Sequence, residues 1–313
     1  MRKLMIVGLL AALVAAVGAL TATPAGAKQR SLNGRIAFAR YDPALGDTVP
    51  YTINPDGTHE QQLIPGPPVA AEIPTWSPDG TKVDVQPGPP YSAWIVNADT
   101  GNVVQLLMPS LLFTFCNVWS PDSERLACEA GFTNPSLQGV WTIRSSDGGG
   151  LTQVTSNPGG DDQPGSYSPD GRRLVFVRQD PSRPANAQVA LFVVNADGTG
   201  LRRITPWGLP DFDVSSWSPD GKKILFGGNG SLYVVHPDGT GLHQIRLATR
   251  DLSRAFQPGW SPDGEKIVFA AVAKESNQED IYTATAEGGD VEHVTNTPGY
   301  EEWPNWGTHP LAH

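Results

Sequence analysis

The chain has 313 residues, 39% apolar and only 17% charged, with 34 Gly and 29 Pro, about one residue in five. That turn-rich composition stops short of the Gly/Pro content of disordered chains and leaves a globular fold with little helix. The formal charge of −10, with 22 basic against 32 acidic residues, lacks the electrostatic footprint of a nucleic-acid binder and excludes that class.

Residues 1–27 read as a cleaved signal peptide. Arg2 and Lys3 precede an apolar stretch from Leu4 to Leu20, and Ala25-Gly26-Ala27 supplies a small-x-small cleavage site. The stretch is at the short limit for spanning a bilayer, and no later segment approaches that length, so no membrane span is expected in the mature chain. Cleavage leaves 20 basic and 32 acidic residues, a net charge of −12. Export places Cys116 and Cys128 in an oxidising compartment, where they form either a disulfide or a buried thiol pair. Two cysteines make no disulfide framework, so the fold rests on its core.

A repeat then sets the architecture. WSPDG or a near copy occurs at Trp76–Gly80, Trp119–Ser123, Tyr167–Gly171, Trp217–Gly221 and Trp260–Gly264, with a decayed copy at Trp306; the aromatics are 43, 48, 50, 43 and 46 residues apart. After each complete turn comes a basic-then-apolar run (KVDV, RLAC, RLVF, KILF, KIVF), and a sixth, RIAF at Arg35–Phe38, has no turn before it. A second register carries aromatics at Tyr51, Trp94, Trp141, Phe192, Tyr233 and Tyr282, each followed by an acidic turn residue at Asp56, Asp99, Asp147, Asp197, Asp238 and Glu287. Pro presets φ in the first turn, Asp bonds the local backbone and Gly accepts the left-handed position. Each unit therefore predicts four antiparallel strands, too few to bury their own faces, so the units stack. Radial closure into a six-bladed β-propeller, all-β, leaves only short edges. The N-terminal chain lacks a Trp-type strand and the C-terminal chain supplies only that, so one blade made from both termini closes the ring. The expected domain spans 28–308, with a tail at 309–313.

These WSPDG repeats, followed by an aromatic strand and a second DG turn, resemble the WD-type Pro-Asp repeats of TolB-like six-bladed propellers and of the propellers attached to prolyl-oligopeptidase-type hydrolases. The resemblance covers about residues 31–308. Ser123 for Gly, Tyr167 for Trp and the missing turn after Trp306 depart from it. It implies an exported, non-catalytic scaffold binding a protein or peptide partner at the channel mouth.

The rival reading is a metal-dependent propeller enzyme, a polysaccharide lyase or a lactonase or hydrolase. A hydrolase domain would need a Gly-x-Ser-x-Gly elbow, and none occurs. The histidines (His59, His236, His243, His293, His309, His313) fall on hairpin turns, outer strands and the tail, which gives a His-built metal site little support. Gly227–Gly230 lacks the Lys of a phosphate loop, so no cofactor is expected. The turn aspartates Asp79, Asp122, Asp170, Asp220 and Asp263 read as turn chemistry. Acids just before the inner strands, namely Glu72, Asp161 with Asp162, Asp211 with Asp213, and Glu301 with Glu302, gather at one mouth. Of these Glu72, Asp162, Asp213 and Glu302 are the expected partner contacts, set against ordinary solvated loop charge. The stretch Leu242–Gln257, with Arg246, Arg250 and Arg254, predicts a helical turn or a second, basic contact loop. A monomer is expected.

Overall fold

The computed structural model describes residues 33–87, 93–106, 113–130, 134–209 and 214–312. The leader at 1–27 and Asp213 lie outside them. The closing blade opens the chain with β1 (Ile36–Asp42), β2 (Asp47–Ile53) and β3 (Gln61–Gln62). Blade 1 is β4 (Glu72–Trp76), β5 (Lys82–Gln86), β6 (Trp94–Asn97) and β7 (Val103–Gln105). Blade 2 is β8 (Phe113–Trp119), β9 (Arg125–Ala130), β10 (Gly139–Arg144) and β11 (Thr152–Gln153). Blade 3 is β12 (Asp161–Tyr167), β13 (Arg173–Gln179), β14 (Val189–Asn195) and β15 (Arg202–Arg203). Blade 4 is β16 (Ser215–Trp217), β17 (Ile224–Gly228), β18 (Ser231–Val235) and β19 (His243–Ile245). Blade 5 is β20 (Leu252–Trp260), β21 (Lys266–Ala273), β22 (Glu279–Thr285) and β23 (Glu292–His293), and β24 (Glu301–Trp306) returns to pair with β1. Six four-stranded antiparallel sheets result, and the last, ordered β24-β1-β2-β3, joins the two ends of the chain.

The turns form as the sequence dictates. In Ser77–Gly80 the Ser77 hydroxyl donates to Asp79 at 2.6 Å and accepts from the Lys82 amide at 3.0 Å. The same serine–aspartate bond recurs at Asp122, Asp170, Asp220 and Asp263. Ser123, the residue standing in for Gly, sits at φ 61°, a conformation that costs an L-residue more than glycine.

Packing follows the two aromatic registers. Phe38, Phe176, Phe226 and Phe269 stack on Tyr51, Phe192, Tyr233 and Tyr282 of the neighbouring strand, with ring centroids 5.5 to 6.1 Å apart. Cys128 takes the equivalent place opposite Trp141 and is joined by a disulfide to Cys116 on β8. Blades grip one another through the repeat aromatics: the Trp119 and Trp260 indoles donate to the carbonyls of Thr75 and Ser216 in the preceding blades, while the Trp306 indole bonds the Gly34 carbonyl within the closing blade.

One stretch differs from expectation. Leu242–Gln257 holds no helical turn; most of it is β19 and the first half of β20, because β20 runs long against β21. The terminal segment packs onto the propeller. His309 stacks on Trp76 at 5.1 Å and bonds the Gly80 carbonyl, while the Ala312 backbone exchanges hydrogen bonds with the Asn54 amide.

Candidate functional site

The inner strands of the six blades surround a central cavity of about 210 Å³. Its wall is mostly apolar, with Ile73, Phe115, Pro164, Pro258, Trp303 and Pro304 facing it. Three lining residues sit three places before their repeat tryptophan in the left-handed region: Ile73 at φ 49°, Gln257 at φ 50° and Trp303 at φ 56°. Each falls at a bulge where the inner strand slips against its neighbour. A β-branched residue with positive φ is strained, and such strain concentrates where side chains are re-aimed for binding. The Trp303 amide is held by the Gln257 side chain at 2.7 Å, which ties β24 to β20.

At the end of the channel where the inner strands begin, the structure separates the acids into two kinds. Asp162 is fully buried, and Arg178 grips it with Nε and Nη2 at 2.7 and 2.6 Å. The Thr155 hydroxyl and Asn157 amide also donate to it. Glu301 repeats the arrangement in the closing blade: fully buried, bonded by Arg40 at 2.8 Å and by the Thr295 and Thr297 hydroxyls. Both carboxylates are inter-blade fasteners, since Thr155 and Thr295 also accept the amides of Val140 and Ile281 in the preceding blades. Asp162 is therefore spent internally, and Asp161 is the half-buried acid beside it.

Among the described residues the second kind has no buried arginine gripping it, and the pKa values of its carboxyls are raised. Burial raises the pKa of Glu72, and the charge of Asp47 adds to it. Burial and then the Glu72 charge raise Glu302, and Glu279 is pushed up to about 7 by burial and Glu302. The stacked Tyr41–Tyr300 pair, 4.6 Å between centroids, adjoins this group, and the tyrosine hydroxyl of Tyr300 is raised by burial and by Tyr41, Glu302, Glu279 and Asp47. Among the described residues these mutually raised acids lie on the closing blade and its two neighbours, and a second raised pair, Glu129 and Asp161, lies on blades 2 and 3. Arg254, exposed on β20, acts on Glu279; Arg246 and Arg250 are exposed on the stretch after β19.

Glu129 was not singled out by the sequence reading. It is 4% exposed, lines the central cavity, and is pushed up to about 8 by burial and by the charge of Asp161, with which it shares a hydrogen bond. Aligning the repeats would have found it: the matching residues are Ala39, Gln86, Val177, Gly227 and Ala270, none of them an acid. Asp84 is a parallel case, an acid where other blades carry Ala or hydrophobic residues; it is fully buried, its pKa is raised by desolvation and Gln86 donates to it.

TolB from Acinetobacter baumannii superposes with a TM-score of 0.70 at 19% identity, covering 87% of this chain and 66% of that one. A putative TolB from Agrobacterium tumefaciens gives 0.65 at 18%, covering 86% and 91%. The fold is that of a TolB-like six-bladed propeller. An oligogalacturonate lyase in complex with manganese also superposes, at 0.53 and 16% identity over 86% of this chain and 75% of that one. No family model and no curated protein matches the chain. The chain spans just under two thirds of the A. baumannii protein, and at these identities the likeness establishes the fold alone. Among the described residues no helix is long and apolar enough to cross a membrane.

Proposed function

We propose that this chain is an exported, non-catalytic propeller that binds a protein or peptide partner at the acidic mouth of its channel. The observation that carries the reading is the mutually repelling acid group Glu72, Glu279 and Glu302 beside a mostly apolar cavity, only partly offset by Arg254 and by hydrogen bonds to Glu302 from Gln257 and Trp303. Like charges held together at a cavity rim cost stability and attract cationic segments, raising association rate more than final affinity. Asp213 belongs to the same reading by its position four residues before Trp217. Asp162 leaves it, and Asp161 takes that blade's place.

The test is a triple variant, Glu72→Gln, Asp213→Asn and Glu302→Gln, used with the wild type to capture binding partners from the native envelope or culture fluid. Slower association and a flatter salt dependence are expected. Unchanged rate and salt dependence would move the contact to Arg246, Arg250 and Arg254.

The second reading is a metal-dependent enzyme. On its side stands Glu129, a carboxyl whose raised pKa suits proton transfer near neutrality. Stoichiometric divalent metal on protein purified without chelator would favour it.

A further inference from the structure

We propose that the channel receives one alkylammonium side chain, a lysine of the partner, with its stem along Ile73, Phe115 and Trp303 and its ammonium at Glu129. The inference deepens the partner-binding reading and rests on it. Three observations converge, the first being size. A cavity of about 210 Å³ is smaller than the roughly 300–1,000 Å³ of sites for drug-sized ligands, and it suits a single inserted side chain.

The second is an unpartnered hydroxyl. Ser215 lines the cavity at 1% exposure, and its Oγ has no hydrogen-bond partner. Leaving such a group unpaired is destabilising, and a donor reaching it would offset that loss. Gly165 makes the room, because a Cβ there would collide with the Ser215 side chain.

The third is charge. Glu129 is the one charged side chain among the described lining residues. The group that faces it from the next blade is Asp161 on β12; Asp162 beside Asp161 is committed to Arg178 on β13. Among the described residues the lining therefore carries negative charge and no Lys or Arg. Asp161 occupies part of the Glu129 carboxyl, which leaves a point acceptor suited to a compact ammonium more than to the two-pronged guanidinium of arginine. The lysine stem, in turn, tolerates apolar surroundings while its head stays polar.

A proton balance follows. The hydrogen-bonded Glu129–Asp161 pair holds one proton between two carboxyls. When the ammonium arrives, that proton leaves to solvent and both carboxylates face the cation, so binding releases about one proton and strengthens as pH rises towards 8.

The experiment is calorimetric titration of the purified protein with n-butylammonium and with n-butanol, in two buffers of different ionisation enthalpy, at pH 6.5 and 8.5. The expected result is at least a tenfold preference for the ammonium, close to one proton released at pH 7, and binding about tenfold tighter at the higher pH. Glu129→Gln should abolish both the proton release and the preference. Ser215→Ala should keep its melting temperature, having no hydrogen bond to lose, and bind the ammonium about threefold more weakly. Equal binding of alcohol and ammonium, absence of binding at millimolar concentration, or buffer-independent heats in the wild type would overturn the inference, whether or not Glu129→Gln folds. The rim variant separates the two readings. If it slows partner capture while the wild type ignores n-butylammonium, the channel inference fails and the mouth reading stands; if n-butylammonium binds and capture is unaffected, the reverse holds.

Discussion

Arg178 closes on the fully buried carboxylate of Asp162 with two hydrogen bonds, and its own guanidinium lies 5.3 Å over the ring of Phe192. Arg40 and Glu301 repeat the relationship where the ring closes, with Arg40 4.6 Å over Tyr51. In each case the acid also anchors a threonine that holds an amide of the preceding blade, so the pair is part of the blade-to-blade joint.

Breaking one of these pairs strands a buried charge. Arg178→Ala is expected to destabilise the protein by about 3 kcal/mol, and Arg40→Ala by a similar amount. Denaturant unfolding monitored by tryptophan fluorescence measures both. A loss under 1 kcal/mol for Arg178→Ala would show that Thr155 and Asn157 suffice to hold Asp162.

The disulfide replaces an aromatic pair. Cys128 stands where four other blades place phenylalanine, so blade 2 gives up ring stacking and gains a cross-link between its two inner strands. Closing so short a loop is expected to contribute about 2–3 kcal/mol. Titration of denatured, unreduced protein should find no free thiol, and the Cys116→Ala/Cys128→Ala double variant should unfold at lower denaturant.

Stability should decline as the solution is made alkaline. Burial pushes Glu129 up to about 8, Glu279 to about 7 and Asp280 to about 6, above the values these groups have in the unfolded chain. Between about pH 4 and 8 the unfolded state sheds protons that the folded state keeps, so the unfolding free energy falls as pH rises and levels off above 8, a loss on the order of a few kcal/mol. The turn acids act in the opposite direction at low pH. Asp122 and Asp170, held below the usual carboxylate range by the serine hydroxyls of their turns, lose their contribution as pH falls through their pKa values. Melting temperatures should peak near pH 4–5, and Glu129→Gln should flatten the alkaline limb.

Closure depends on β24 and on the glycine behind it. A Cβ at Gly307 would run into the Trp76 indole, so Gly307→Ala should displace that ring and cost about 2 kcal/mol or more. Truncation before Trp303 removes most of the inner strand of the closing blade and exposes the edge of β1. A truncated chain with unchanged melting temperature and solubility would contradict closure through both termini.

The blade count, the four-strand unit and the closing blade were legible in the order of residues because turn chemistry is local. Ser-Pro-Asp-Gly fixes a turn wherever it occurs, and a period of 43–50 residues repeats the same hydrogen bonds. That acids precede the repeat aromatics by a near-constant interval was legible too. Which acid faces the channel was not. Asp161 and Asp162 are neighbours in sequence, yet the register of β12 against β13 turns Asp162 to Arg178 and into the inter-blade joint. In the closing blade the same logic buries Glu301 and leaves Glu302 at the mouth. Glu129 lies inside an apolar run, and only the approach of Asp161 from the next blade makes it a proton-holding group. Sequence spacing determined the ring; partners brought from other blades, through strand register and packing, decided which of its charges are structural and which remain available.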